Sequence, residues 1–188
     1  KQKGAVRIIG MSFFINYLFG AIRVLIIPWF TEDPQLGMAK YGFLNGVQSI
    51  GLVVGMSVLM AITIKAERKY QVYLTSLFLF IACIGAGAFF DRYVLILVCF
   101  FLAFGFQFVF NTVMNATLMM KTPVEYRGKV SAIKTTIGMA VSPLGNFVGG
   151  ILCVSLDPRM LILFHCAAAG IAVAASIVHP EVKRFLNE

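Results

Sequence analysis

The sequence predicts an all-α membrane protein with six transmembrane helices, and three observations lead there. The chain is 60% hydrophobic with a mean hydropathy of +0.88, and only 13% of its residues are charged. A soluble domain carries about 25% charged residues, so a soluble fold of this composition would have too little polar surface to face water. The apolar residues fall into six runs, each near the ~20 residues that cross a hydrocarbon core as a helix. The basic residues gather in the connectors between those runs, rich and poor in strict alternation.

The runs extend from Ile8 to Phe30, Tyr41 to Ile64, Val72 to Phe90, Val94 to Met120, Ser131 to Leu156 and Leu161 to Val178. Lys1, Lys3 and Arg7 precede the first. Lys65, Arg68 and Lys69 follow the second, and Lys121, Arg127 and Lys129 follow the fourth, with Lys134 just beyond. Lys183 and Arg184 close the chain. The intervening connectors hold only Lys40, Arg92 and Arg159. Twelve basic residues on one side against three on the other mark the first side as cytoplasmic and place both ends there. The net charge of +8 therefore reads as a topology signal and not as a nucleic-acid surface. The start, Lys1-Gln2-Lys3, has no initiator Met and no signal-peptide pattern and reads as a segment of something longer.

Cys83, Cys99, Cys153 and Cys166 all lie inside apolar runs and form no Cys-x-x-Cys pair. They read as small packing residues; no disulfide framework, metal site or cofactor is expected.

Strongly polar residues are unevenly shared. The first run has Asn16 and Arg23, the second Asn45 and Gln48, the fourth Gln107, Asn111 and Asn115, the fifth Lys134 and Asn146. The third has nothing stronger than Thr75 and Ser76, and the sixth only His165. Such groups face a bundle interior or a watery cavity, so helices one, two, four and five should share a polar wall while three and six face lipid. The distribution repeats every three helices, and three is odd, so the copies start on opposite sides of the membrane. This is the pattern of a 3+3 inverted repeat, with one six-helix domain over 1–188 divided into triplets 1–93 and 94–188. The connectors Thr31 to Lys40 and Lys121 to Val130 correspond in this scheme.

Arg23 is the costliest residue to place in lipid. It stands about 10 Å from the outer end of its helix, and either snorkels to the interface or faces a cavity to hold an anion. Gln107, Asn111 and Asn115 are four apart and form one stripe, suited to a wet substrate cavity or to interhelical hydrogen bonds; Asn16 could face the same cavity. Thr122, Pro123 and Glu125 have the spacing of a capping box, predicting a short surface helix from which Arg127 and Lys129 pair with Glu67 or lipid phosphates. Glu125, Arg127 and Lys129 are thus candidate residues of a cytoplasmic gate. Gly42 and Gly46, Gly51 and Gly55, and Gly145 and Gly149 allow close helix approach, and Pro143 removes a helical hydrogen bond; packing, with a secondary hinge role, is expected of them. His165 reads as a hydrogen-bonded packing residue.

The run Thr122-Pro123-Val124-Glu125-Tyr126-Arg127-Gly128-Lys129-Val130, followed by Ser142-Pro143-Leu144-Gly145 and Gly149-Gly150, resembles the loop between helices ten and eleven, and the helix after it, in bacterial drug and siderophore exporters of the major facilitator superfamily, including macrolide-efflux and enterobactin-exporter relatives. The resemblance covers the chain as helices seven to twelve, half of a major-facilitator bundle. It departs at Thr63-Ile64-Lys65-Ala66-Glu67-Arg68-Lys69, which keeps the basic residues of the family's loop after helix eight and lacks its Asp and Gly. The resemblance implies a secondary active transporter in the cell (inner) membrane that exports small amphipathic compounds by proton antiport. The missing N-terminal six-helix half, the lipid bilayer, the small-molecule substrate and protons would be its partners. No Asp or Glu lies within the six spans to carry a proton, so coupling would reside in the missing half.

Two alternatives remain at this level. An intramembrane enzyme such as a serine protease needs a Gly-x-Ser-Gly nucleophile; Gly10-Met11-Ser12 and Gly55-Met56-Ser57 are followed by bulky residues, and no His-Glu metal cluster exists. Non-enzymatic function, with no catalytic residues, is therefore expected. The other alternative is a complete six-helix protein acting as a homodimer.

Overall fold

In lipid, each backbone polar group must find a partner within its own segment or a closed barrel, and the chain solves this with helices alone. The computed structural model describes residues 2–177 and 186–187. It contains α1 (Gln2–Glu32), α2 (Met38–Ala61), a single 3₁₀ turn (Ala66–Arg68), α3 (Lys69–Phe89), α4 (Tyr93–Lys121), α5 (Val124–Cys153) and α6 (Pro158–Ile177). Each of the six α-helices is long and apolar enough to cross a membrane. The expected end of the sixth helix at Val178 and the basic residues Lys1, Lys183 and Arg184 lie outside the described residues.

Local chemistry sets the connections. Gly37 takes φ +85° in the α1–α2 turn, a left-handed conformation that favours glycine, and Asp33 Oδ1 accepts the Gln35 N–H at 2.8 Å. Asp157 accepts the Met160 N–H at 3.0 Å ahead of Pro158, a side-chain cap followed by proline in the first turn of α6. The Asn187 side chain accepts the Tyr70 N–H at 3.0 Å, meeting one of the free donors at the start of α3. Proline interrupts neither long helix: α1 runs through Pro28 and α5 through Pro143.

The fifth helix differs from the sequence expectation. It begins at Val124 and not near Ser131, and it runs unbroken to Cys153. There is no separate surface helix, and the capping box does not form. Thr122 ends α4 in an extended conformation, its hydroxyl donates back to the Leu118 carbonyl at 2.7 Å, and no side chain caps the start of α5. Only Thr122 and Pro123 separate α4 from α5, whereas 33–37 separate α1 from α2, so these connectors do not match in length.

The packing order is α5 on α1, α1 on α6, α6 on α3, α3 on α4 and α4 on α2. Exchanging α1 with α4, α2 with α5 and α3 with α6 turns this set of contacts into itself, which is the inverted 3+3 repeat expressed as packing. Two crossings carry the symmetry. On one, Gly51 and Gly55 lie against the backbone of Phe101 and Gly105; on the other, Gly145 and Gly149 lie against Tyr17 and Ala21. A Cβ at Gly149 would come within 3.0 Å of the Ala21 carbonyl oxygen, and one at Gly20 would come closer still to the Ser142 carbonyl oxygen. Both pairs cross in the same register, four residues with four, between helices running in the same direction. A Cβ at Gly42 or Gly46, by contrast, would meet none of the described residues within 4 Å.

α3 and α6 pack in the middle of this row, so they are not merely lipid-facing. Tyr73, Leu77, Phe80 and Ile84 of α3 and Ile162 and Val173 of α6 are buried. The outer helices are the least covered: α2 buries only Leu44, Gln48, Gly51 and Gly55, and α5, among the described residues, only Gly145 and Gly149.

Candidate polar cavity between α1, α3 and α4

α1 and α4 meet at the centre through side chains. Phe19 and Phe104 approach to 6.1 Å between ring centroids, and the Ser12 hydroxyl donates to the Met114 sulfur at 2.9 Å. Between them, with α3 behind, lies a small cavity of about 30 Å³, enough for one or two waters. Its apolar wall includes Ile15, Phe19, Leu77, Phe80 and Phe110, and its polar groups come from Ser12, Asn16, Tyr73, Gln107 and Asn111.

The helix spacing explains the arrangement. Gln107 and Asn111 are one turn apart on α4, and Ser12 and Asn16 one turn apart on α1. The amide nitrogen of Asn16 donates to the Ser12 carbonyl at 2.7 Å, and that of Asn111 to the Gln107 carbonyl at 3.1 Å. A carbonyl only accepts, so each amide oxygen points the other way and is left for another partner, along with the second N–H. The site offers neutral donors and acceptors and no carboxylate. It can bind by hydrogen bonding and apolar contact.

Of the sequence-selected residues, Asn16, Gln107 and Asn111 come together here. Asn115 lies one turn further along α4 and accepts a hydrogen bond from Lys134 of α5, joining two helices that otherwise barely touch. Arg23 does not border the cavity. It is two turns beyond Asn16, which brings it back to within about 20° of the same face of α1, is exposed, and makes no hydrogen bond or ion pair with the described residues. Glu125, Arg127 and Lys129 are exposed on the first turns of α5. The Arg127 Nε donates to the Thr122 carbonyl at 3.1 Å and Lys129 lies 5.9 Å from the Tyr126 ring centre, so neither reaches Glu67. His165 is buried and its Nδ1 donates to the Leu161 carbonyl at 2.7 Å, a packing role.

Two contributors were not visible in the sequence. Tyr73 is 2% exposed and borders the cavity from α3, with its ring edge-on to Phe110; a tyrosine near a helix end reads as an interfacial residue. Ser12 was read only as a failed nucleophile motif, although its spacing to Asn16 carried the signal.

The end of the bundle where α3 meets α6 is built differently. Arg159, at the start of α6, pairs with Asp91 at 2.7 Å and donates to the carbonyls of Ala88, Phe89 and Phe90 at 2.9, 3.2 and 3.1 Å. It thereby satisfies the free carbonyls at the end of α3. Its guanidinium also lies 5.6 Å from the Trp29 ring centre. Arg159, Asp91 and Trp29, with Glu32, Asp33 and Asp157, line an open acidic hollow of about 560 Å³.

Six membrane-length helices, an inverted repeat written in their packing and a polar cavity at the central helices narrow the possibilities to transporter architectures. The model of the Major Facilitator Superfamily matches residues 9–185. The chain belongs to the Major Facilitator Superfamily. Membership makes it a multi-pass membrane protein of a transporter family, and the all-helical, strand-free architecture among the described residues agrees with half of a major-facilitator bundle. No curated protein and no solved structure matches the chain.

Proposed function

We propose that this chain is the C-terminal half of a secondary active exporter of small amphipathic compounds in the cell membrane, with both ends of the segment cytoplasmic and transport driven by proton antiport. The observation that carries the reading is the polar wall. Asn16, Gln107, Asn111 and Asn115 stand on α1 and α4, in a largely apolar bundle, beside helices α2 and α5 whose circumference is largely uncovered. Lipid can cover one side of those helices but gives no hydrogen bonds to the wall. A second six-helix unit closing over it would turn a half-cavity into a transport path, and rocking of the two units would give alternating access.

Mixed neutral amides and aromatic rings suit compounds with an apolar body and a few polar groups. No carboxylate lines the described cavity, and in this reading proton coupling resides in the other unit. The experiment is efflux of a lipophilic fluorescent compound from cells expressing the full-length protein, with and without a proton gradient. Gradient-dependent efflux that falls in Asn111→Ala is the expected result; efflux unaffected by both would overturn the reading.

A further inference from the structure

We infer that the transported compound carries negative charge, of the carboxylate or phosphate class, and that Arg23 and Lys134 are its two stations at opposite mouths of the polar wall. This rests on the transporter reading above and deepens it.

The charges near the wall all have one sign. Arg23 shares the α1 face of Asn16, and Lys134 donates to Asn115, which continues the stripe of Gln107 and Asn111. The contacts of Gly145 with Tyr17 and Gly149 with Ala21 fix the offset between the parallel helices α5 and α1. By that offset Lys134 lies level with position 6 of α1, and Arg23 stands roughly 25 Å further towards the outer side at 1.5 Å per residue. The amides fill the interval. The path therefore has a cation at its inner mouth, a cation towards its outer mouth and neutral hydrogen-bonding groups between.

Among the described residues no carboxylate neutralises either cation. Lys134 has a neutral partner, and Arg23 has none among the described residues. The acidic hollow at the Arg159 end is bordered by Trp29, about 120° round α1 from Arg23, and its own arginine is already paired with Asp91. An uncompensated guanidinium beside lipid is costly unless an anion joins it. A positive mouth at each end raises the local concentration of anions and repels cations.

Two sources could supply that anion: the transported compound or carboxylate side chains of the rest of the protein. Purified full-length protein is titrated with benzyl phosphate, benzoate, benzyl alcohol and benzylamine, which share one aromatic body and differ in charge, and its thermal midpoint is read. The anions are expected to raise the midpoint in the unsubstituted protein, with the response lost in Arg23→Gln, partly kept in Arg23→Lys and weakened in Lys134→Gln. Stabilisation by benzylamine or benzyl alcohol equal to that by the anions would overturn the inference, as would an unchanged anion response in Arg23→Gln. So would restoration of Arg23→Gln function by neutralising a carboxylate elsewhere in the protein, which would make that carboxylate the partner. Binding is read without transport, so failure of the anion inference leaves gradient-driven efflux intact, whereas failure of the transporter reading abolishes efflux while the binding pattern stands.

Discussion

At the α1–α5 crossing, Gly145 and Gly149 meet Tyr17 and Ala21; at the α2–α4 crossing, Gly51 and Gly55 meet Phe101 and Gly105. The two are related by the exchange that relates the triplets, and the glycine spacing and register are the same. Their chemistry is not. The first pair of helices carries Arg23 and Lys134 within its membrane length, while the second has no charge between Lys40 at the start of α2 and Lys121 at the end of α4 apart from those in the intervening loops and α3. Backbone approach tolerates no Cβ and so constrains both copies alike. Side chains on the open face are constrained only by what they contact, and there the copies have diverged.

The largest effect should come from breaking either crossing. Gly145→Leu and Gly51→Leu should each cost about 3 kcal/mol or more, the upper range of overpacking, seen as loss of monodisperse protein on extraction. Comparable damage from both supports equivalent crossings; damage from one alone would show that only one holds the bundle.

Arg23→Ala tests the other side of the comparison. Export should fall about tenfold or more, since a charged hydrogen bond contributes about 1.5–3 kcal/mol, while membrane abundance stays unchanged. Unchanged efflux would remove Arg23 from the site.

Arg159→Ala should lower stability by about 1–2 kcal/mol, because three α3 carbonyls and Asp91 lose a charged donor. A thermal midpoint measured with and without the probe anions separates this from a binding defect, which is not expected.

Smaller effects distinguish packed from unpacked glycines. Gly46→Ala, with open space around it, should be neutral or stabilising by about 0.5–1 kcal/mol through helix propensity. Thr122→Val should cost under about 0.5 kcal/mol in the same assay; a loss near 1 kcal/mol, the size of a helix N-cap, would restore the capping role that the geometry denies it.

Much of this architecture was legible in the chain because lipid imposes simple rules. Six apolar runs gave six helices, and five of the six expected starts lie within about six residues of the observed ones. The fifth start differs because Glu125, Arg127 and Lys129 make the first two turns of α5 read as a separate surface helix, whereas they continue into the membrane span: charge marks the membrane edge, not the helix end. The role of α3 was missed for a related reason. Polarity identifies helices that touch water, but Tyr73, Leu77 and Phe80 show that a bland helix can also sit behind a cavity. The glycine register between triplets escaped because it joins residues 94 positions apart, 51 with 145 and 55 with 149, in sequence that otherwise shares little.

The most direct test of the central claim, that the α1–α4 wall faces a watery path under a second unit while other uncovered surface faces lipid, is aqueous accessibility. Cys83, Cys99, Cys153 and Cys166, with any further cysteines, are replaced in the full-length protein, and single cysteines are introduced at Asn16, Arg23 and Asn111 and at Phe78, Phe164 and Ile171, which are exposed on α3 and α6. A membrane-impermeant charged thiol reagent, applied to both sides of open membranes, should label the first three and spare the second three. Labelling of Phe164 and Ile171 positions with protection of Asn16 and Asn111 would contradict the account.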